Sequence, residues 1–553
     1  MKMYNFPCGC SFPILEERPD DIPLLDMKIR EVNPTCPIVW EMLAKGLTKG
    51  IFQLESGLGR QWTKRLKPTE IEHLFALSSI LRPGSMNAFL EDGKSVTEHY
   101  CMRKNGEESV SYPHSSLEDV LKSTYGLGVY QEQAMSTTQV VAGFDLKEAD
   151  GLRKACGKKL PEEMAKVKAL FLEKAKSYGV INEKEADLIF SQIEASQRYS
   201  FNKSHAAGYG YTSFDCAFAK AHNPAAFYAA WIQNATDKQK PGEERSELIN
   251  EARLMGVDIF VPDFKRFSLN TEVDKGKVIL GLSNIKGMGP STIIALKGAV
   301  DELSKEIGSP KDWNWSHIIC KLFPLTSVSM LTTLIKAGAF QSFGVSRKRA
   351  AFEVEQLGEL TDNEWKWVAT QPIFENTIAL LKAAGKPKRE GGGCSSEKRA
   401  AKIKAKAELL ENPPFSLEDT PLYILLQEQE LFGCGVSLTR VDTCDTEDVN
   451  CSCRDFLSGM DGHLVLGVEV KEVRPVTIKK AGKNFGREMA WLTVGDSTAE
   501  LRDIPIFADN WEQYSKTLME NKTVYILGEH GKKKGDLVVR NIWPLKPISN
   551  KNQ

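Results

Sequence analysis

Nowhere in the 553 residues do about eighteen apolar side chains run together, so no stretch has the form of a membrane-spanning helix. The first residues, Met1 to Ile14, lack the basic-then-apolar order of a secretory signal, and a cytoplasmic protein is expected. Charge of one sign is lacking as well: 72 Lys and Arg stand against 73 Asp and Glu, a net charge of -1. Any contact with a polyanion must therefore come from local patches. Twelve cysteines are too dilute in so long a chain for a disulfide scaffold. No G-x-x-x-x-G-K-[ST] loop occurs, and the absence of Lys-x-Asp-Gly excludes the nucleophile of an NAD-dependent ligase. What is there is ordinary globular material, 42% apolar and 26% charged, long enough for three or more domains.

The densest chemistry lies in Arg198-Tyr199-Ser200-Phe201-Asn202-Lys203-Ser204-His205-Ala206-Ala207-Gly208-Tyr209. Cations, an amide, hydroxyls and an imidazole beside flat rings suit an anionic, base-bearing ligand such as a nucleotide. The plain alternative is a polar helix start, with Ser204 capping a helix over Ala206 to Ala221. Upstream, Asp150-Gly151-Leu152-Arg153-Lys154-Ala155-Cys156-Gly157-Lys158-Lys159 opens a segment with eight basic and three acidic residues between Arg153 and Lys176. Pro161 with Glu162 and Glu163 has the composition of a helix start just beyond it.

Together with Phe52-Gln53-Leu54-Glu55-Ser56, Arg82-Pro83-Gly84, Thr124-Tyr125-Gly126 and Tyr130-Gln131-Glu132-Gln133, these segments resemble, in order and spacing, the fingers of the bacterial replicative polymerases of family C, the DNA polymerase III alpha subunits. The resemblance implies template-directed DNA synthesis on primer-template DNA with dNTPs. Arg153, Lys154, Lys158 and Lys159 would then grip the triphosphate, and Asn202, Lys203, Ser204 and His205 would line the nucleotide and template side. Tyr209 would stack on or gate the base pair. The expected fold is multidomain α+β: a lead-in over 1–45, a mainly α-helical fingers domain over 46–275, a helix-hairpin-helix region over 276–345, a linker and clamp-binding region over 346–455, and a C-terminal β-barrel of the OB-fold type over 456–548.

The later regions carry their own patterns. Ile285 to Thr292 has the form of a hairpin turn opening a helix, in which Lys286, Gly287 and Gly289 would let backbone amides approach a phosphate. A second copy is read at Leu331 to Ala337, ending at Gly338; two ordinary helix caps are the alternative. Lys386 to Ser396 reads as a flexible linker by composition. Binding of a sliding clamp nearby follows from family position alone, because Gln371-Pro372-Ile373-Phe374 is one residue short of the usual peptide. Alternating strands between Leu464 and Leu545 flank a loop with Lys479, Lys480, Lys483, Phe485 and Arg487, as in barrels that bind single strands.

Polymerisation needs carboxylates that hold two Mg2+ ions, and no Asp-x-Asp precedes Phe52. Asp26 is the one apolar-flanked aspartate available as a third carboxylate. The expectation is a polymerase split between chains, of a kind encoded by a bacteriophage for work in a bacterial cytoplasm, with the palm on a partner chain. A non-catalytic DNA-binding scaffold descended from polymerase fingers is the competing reading. Cys8, Cys10 and Cys36 offer three soft ligands for Zn2+, as do Cys444, Cys451 and Cys453, but neither set has an evident fourth ligand in sequence, and buried structural thiols are the alternative.

Overall fold

The computed structural model describes residues 2–18, 21–25, 34–90, 92–158, 161–197, 199–235, 239–479, 482–531 and 536–548. Internal contacts divide it into two units, Met1–Asn223 and Pro224–Gln553.

The first unit opens with a small antiparallel sheet of β1 (Met3–Asn5), β2 (Ser11–Glu16) and β3 (Leu24–Leu25). Helices follow: α1 (Pro37–Ala44), α2 (Gly57–Leu66), α3 (Ile71–Ile80), α4 (Pro83–Met86), α5 (Val96–Lys104), α6 (Glu118–Leu121), α7 (Gln131–Ala142), α8 (Leu146–Lys158), α9 (Pro161–Tyr178), α10 (Glu183–Gln197) and α11 (Lys203–His222). Their starts are those that capping chemistry favours. Ser56 accepts from the Gly59 amide at α2, and Ser95 with Glu98 forms a capping box at α5.

A lead-in too short for its own core must lean on something larger. Here Phe12 lies fully buried, with its ring centroid 5.6 Å from that of Phe218 on α11. Helices α7 to α10 share a second core built on Val141, Phe144, Leu152, Phe171 and Phe190. Helix α11 is seated on α3, and Gly210 permits the approach: a Cβ there would lie 2.3 Å from a ring carbon of Phe75.

In the second unit α12 (Pro224–Asn234) and α13 (Pro241–Leu254) precede a three-stranded sheet of β4 (Ile259–Phe260), β5 (Glu272–Asp274) and β6 (Lys277–Ile279), in the order β4-β6-β5. Then come α14 (Pro290–Ile307), α15 (Trp315–His317), α16 (Val328–Lys336), α17 (Arg347–Leu357), α18 (Asp362–Ala369), α19 (Thr377–Ala384), α20 (Glu397–Glu411), α21 (Pro421–Phe432) and α22 (Cys453–Ser458). Lys386 to Ser396 is not a loose linker. The Lys388 amide donates to the Cys394 carbonyl and the Cys394 amide to the Lys386 carbonyl, Cys394 is fully buried, and Gly393 lies against Trp367. Composition signals mobility, but tertiary packing sets the Lys386 backbone where a side chain at Gly392 would strike it.

The chain ends in a five-stranded antiparallel sheet: β7 (Leu464–Thr477), β8 (Glu488–Gly495), β9 (Glu500–Ile506), β10 (Thr523–His530) and β11 (Leu537–Pro544), in the order β11-β10-β7-β8-β9. Helix α23 (Ala508–Tyr514) connects β9 to β10, and the outer strands β9 and β11 also touch. One face buries Leu464, Leu466, Val468, Leu492, Val494 and Ile526 in a single core. The molecule is thus α+β, predominantly helical with a β-rich C-terminal part.

Candidate functional site

The start of α11 gathers residues far apart in sequence. Asn202, not Ser204, is the cap: its side-chain oxygen accepts from the His205 amide, and the helix begins at Lys203. An amide side chain one residue before the first helical position satisfies a helix start as well as a hydroxyl does. Ahead of it, Phe201 pairs in parallel with Tyr130, its amide bonded to the Val129 carbonyl, while the Gln131 amide bonds back to the Phe201 carbonyl.

Glu132 completes the junction. Its carboxylate accepts from Asn202 Nδ2 at 2.8 Å and from the Lys203 amide at 2.9 and 3.1 Å, placing negative charge at a helix N-terminus. Lys203 Nζ lies 3.1 Å from Glu72 and 5.4 Å from the centre of the Tyr130 ring. Arg82 stacks over Phe201 at 3.9 Å. The Tyr209 ring contacts His205 and Phe52 at centroid distances of 4.1 and 5.2 Å, and Ser213 Oγ donates to the Phe52 carbonyl at 2.8 Å. Four of the sequence segments, those at 52, 82, 130 and 201, therefore meet around one helix end. A basic, aromatic and carboxylate-braced surface of this kind can hold an anion beside a flat ring.

Two further segments are linked to it through intervening elements, Tyr125 through His73 on α3 and α8 through α7. Tyr125 Oη and His73 Nε2 lie 2.6 Å apart, and the Thr69 amide donates to His73 Nδ1, which places the imidazole proton on Nε2. Burial holds His73 down to about 4 and pushes Tyr125 up to about 12, so both are neutral near pH 7. Helices α7 and α8 pack together across the short Gly143–Asp145 connection, forming a helical hairpin. On its second leg Arg153 and Lys154 both pair with Asp150 at 2.8 Å, and those two cations hold the Asp150 carboxyl below its usual range, Lys154 first. Lys158 is the last residue of α8, while Lys159 and Asp26 lie outside the described residues. Ser204 and His205 are exposed on the first turn of α11. Farther along, burial raises the Asp215 carboxyl to about 6, and its Oδ2 has no hydrogen-bond partner among the described residues.

The second unit carries the other predicted contacts. Lys286 and Gly287 are exposed on the turn before α14, with Gly287 at φ +92° and Gly289 at the N-cap. The Lys286 and Met288 amides are already bonded, to the Leu431 and Ile285 carbonyls. Gly338, at φ +85°, bonds its amide to the Ile335 carbonyl, and a Cβ there would come within 2.6 Å of an Arg347 guanidinium nitrogen. That guanidinium is itself buried against Glu428 at 2.8 Å. In the β7–β8 loop Lys479, Lys483 and Phe485 are exposed, whereas Arg487 is held by Asp509 and Glu512 at 2.7 and 2.9 Å. Lys480 lies outside the described residues. A separate cleft of about 380 Å³ opens beside Asp263, Arg266, Lys277 and Gly338.

Three thiols, those of Cys8, Cys10 and Cys36, form a group that could hold a metal ion; among the described residues Cys444, Cys451 and Cys453 form no such group. The segments of Glu132 and Arg82 carry the resemblance but no site role in sequence, and no motif marks Glu72. The contact between Glu132 and Lys203 spans 71 positions, which no periodicity encodes.

Comparison with known proteins agrees with the assembled motifs. Residues 17–179 match the bacterial DNA polymerase III alpha subunit finger domain. DNA polymerase III subunit alpha of Thermus aquaticus is 33% identical over 537 residues, covering 93% of this chain and 39% of that protein. The Escherichia coli (strain K12) subunit is 39% identical over 504 residues, covering 89% and 39%, and the Aquifex aeolicus one is 35% identical over 348 residues, covering 63% and 28%. The chain thus spans 39% or less of the length of these relatives. With the finger-domain match and the 93% and 89% coverage of this chain, the chain is similar over most of its own length to part of the DNA polymerase III alpha subunits, the part that includes the fingers.

Proposed function

We propose that this chain is the fingers and DNA-binding portion of a replicative DNA polymerase, receiving a dNTP and gripping primer-template DNA during template-directed synthesis. The observation that carries the reading is the meeting of Phe52, Arg82, Tyr130, Glu132 and Phe201 around Lys203, His205 and Tyr209 at the start of α11. Arg153, Lys154, Lys158 and Lys159 meet the triphosphate. Asn202, Lys203, Ser204 and His205 line the nucleotide, and Tyr209 lies against the nascent pair. A binding surface that is completed only by a correctly paired base can discriminate by closure.

Phosphoryl transfer needs two hard cations on oxygen ligands, and the group of metal-capable side chains among the described residues is made of thiols. That donor set does not fit Mg2+. We place the palm carboxylates outside these 553 residues, on a palm-bearing partner, with Asp26 retained as a carboxylate that could join them.

For DNA beyond the fingers, the exposed Lys286–Gly289 turn suits a helix-hairpin-helix contact with the backbone, and Gly338 serves the second turn by letting Arg347 approach. The sheet order, with a helix between its third and fourth strands, suits an OB-fold that presents Lys479, Lys480, Lys483 and Phe485 to single strands; Arg487 anchors the loop base. The region over 346–455 is assigned to a sliding clamp by its place in the order.

The test is primer extension by the chain with and without an added palm-bearing chain. Extension only in the mixture is expected, with Arg153→Ala and Lys203→Ala each raising the KM for dNTP about tenfold or more, as loss of a charge-assisted phosphate contact does. Vigorous extension by the lone chain would remove the partner from the account. Unchanged extension by both variants, alongside weakened DNA binding, would leave only a scaffold.

A further inference from the structure

The three clustered thiols have a fourth neighbour. His222 Nε2, on the last residue of α11, lies 3.4 Å from Cys8 Sγ and 3.3 Å from Cys36 Sγ, across gaps of 214 and 186 positions. The Cys8, Cys10 and Cys36 sulfurs all lie within 4.8 Å of one another. Tetrahedral zinc, with Zn–S of about 2.3 Å and Zn–N of about 2.0 Å, sets its ligand atoms roughly 3.5 to 3.8 Å apart.

The surroundings are those of a closed site. Cys36 is 1% exposed, Cys10 6% and His222 8%. The rings of Phe6 and Phe218 lie 4.5 and 4.3 Å from the imidazole and shield it, while Cys8 is half-buried at the edge of the group. The local backbone is shaped to aim the sulfurs. Gly9, at φ +85°, lets the chain turn between Cys8 and Cys10, and the turn is locked by the Phe6 amide on the Cys10 carbonyl at 2.8 Å. Cys36 sits at the N-cap of α1 with no side-chain cap bond of its own. Three thiols cannot all be satisfied by disulfides, and a thiol is a poor hydrogen-bond donor. Three sulfurs and an imidazole nitrogen make a soft set that selects zinc over magnesium or calcium.

We propose that Cys8, Cys10, Cys36 and His222 bind one Zn2+ tetrahedrally, as a structural site that ties the N-terminal hairpin and the start of α1 to the end of α11. On binding, the thiols release their protons to solvent and all four positions are filled by protein, leaving none open for catalysis. The site stands apart from the polymerase reading, because it concerns the base of the helix whose other end bears Lys203 and Tyr209.

The test is zinc content of the full-length chain, purified without chelators and under reducing conditions, by mass spectrometry of the metal. About one zinc per chain is expected, with X-ray absorption giving three sulfur neighbours and one nitrogen. Cys36→Ser and His222→Asn should each lower zinc affinity at least tenfold in competition with a chromogenic chelator, whereas His222→Cys, which keeps four donors, should retain the metal. A Cys451→Ser, Cys453→Ser variant should bind as the wild type does. Wild-type protein that neither carries zinc nor takes it up on titration would overturn the site, as would affinity unchanged in both His222→Asn and Cys36→Ser. A disulfide among the three cysteines in freshly reduced, refolded protein would overturn it as well.

Discussion

At the scale of single residues, the start of α11 is stabilised from within. The Lys203 amide, which a phosphate could otherwise take, is bonded to Glu132, and the His205 amide to Asn202, so two of the amides at this helix start are already satisfied within the protein. Gly210 shows how close the helix lies to its support. Gly210→Ala should cost about 1–3 kcal/mol, because a Cβ 2.3 Å from Phe75 forces α11 off α3; urea unfolding would measure it. Two titrating groups give opposite pH responses. His73 is held at about 4 against an ordinary 6.5, so its folded form prefers the neutral ring, and stability complete above pH 6.5 is lost as pH falls toward 4. The loss is on the order of 3 kcal/mol for a group this buried, and His73→Gln should flatten that part of the denaturation profile. Asp215 is raised to about 6 against 3.8, so its contribution is present at low pH and lost between about 4 and 6. Asp215→Asn should therefore raise the thermal midpoint at pH 7 and change nothing at pH 3.5.

At the scale of elements, helices with strong start chemistry were legible and long-range junctions were not. Pro161 with Glu162 and Glu163 foretold α9, and alternation foretold β7, β8, β9 and β10. The cap of α11 shifted from Ser204 to Asn202 because both residues are good caps and only the fold decides between them. The glycines over 391–393 read as slack, yet a Cβ at Gly392 would lie 2.1 Å from the Lys386 carbonyl oxygen. At Gly392 glycine marks close packing, while at Gly391 it serves a left-handed backbone at φ +78°. The buried Arg347–Glu428 pair shows the same logic at Gly338, since Glu428 also accepts from the Val436 and Ser437 amides. Glu428→Ala should destabilise by about 3–5 kcal/mol by stranding a buried guanidinium, read by calorimetry of the full chain. On the β7–β8 loop, Phe485 is 66% exposed with Lys479 and Lys483 beside it. Phe485→Ala should weaken single-stranded DNA binding by about 1–3 kcal/mol, roughly 5- to 150-fold, with duplex binding less affected.

At the scale of the molecule, near-zero net charge means that affinity for any polyanion depends on where the cations stand. Ordered motifs made the family readable because each carries several functional residue types at fixed offsets. Their meeting at one helix end was not readable, since Phe52, Arg82, Tyr130 and Phe201 reach it from four separate segments. The zinc ligand His222 was hidden for the same reason, 186 positions from Cys36. The division of the chain between Asn223 and Pro224 falls one residue after that histidine. A polypeptide severed at this seam would leave every proposed metal donor on the same fragment, so the ion would travel with the amino-terminal piece and its carboxyl-terminal counterpart would be metal-blind.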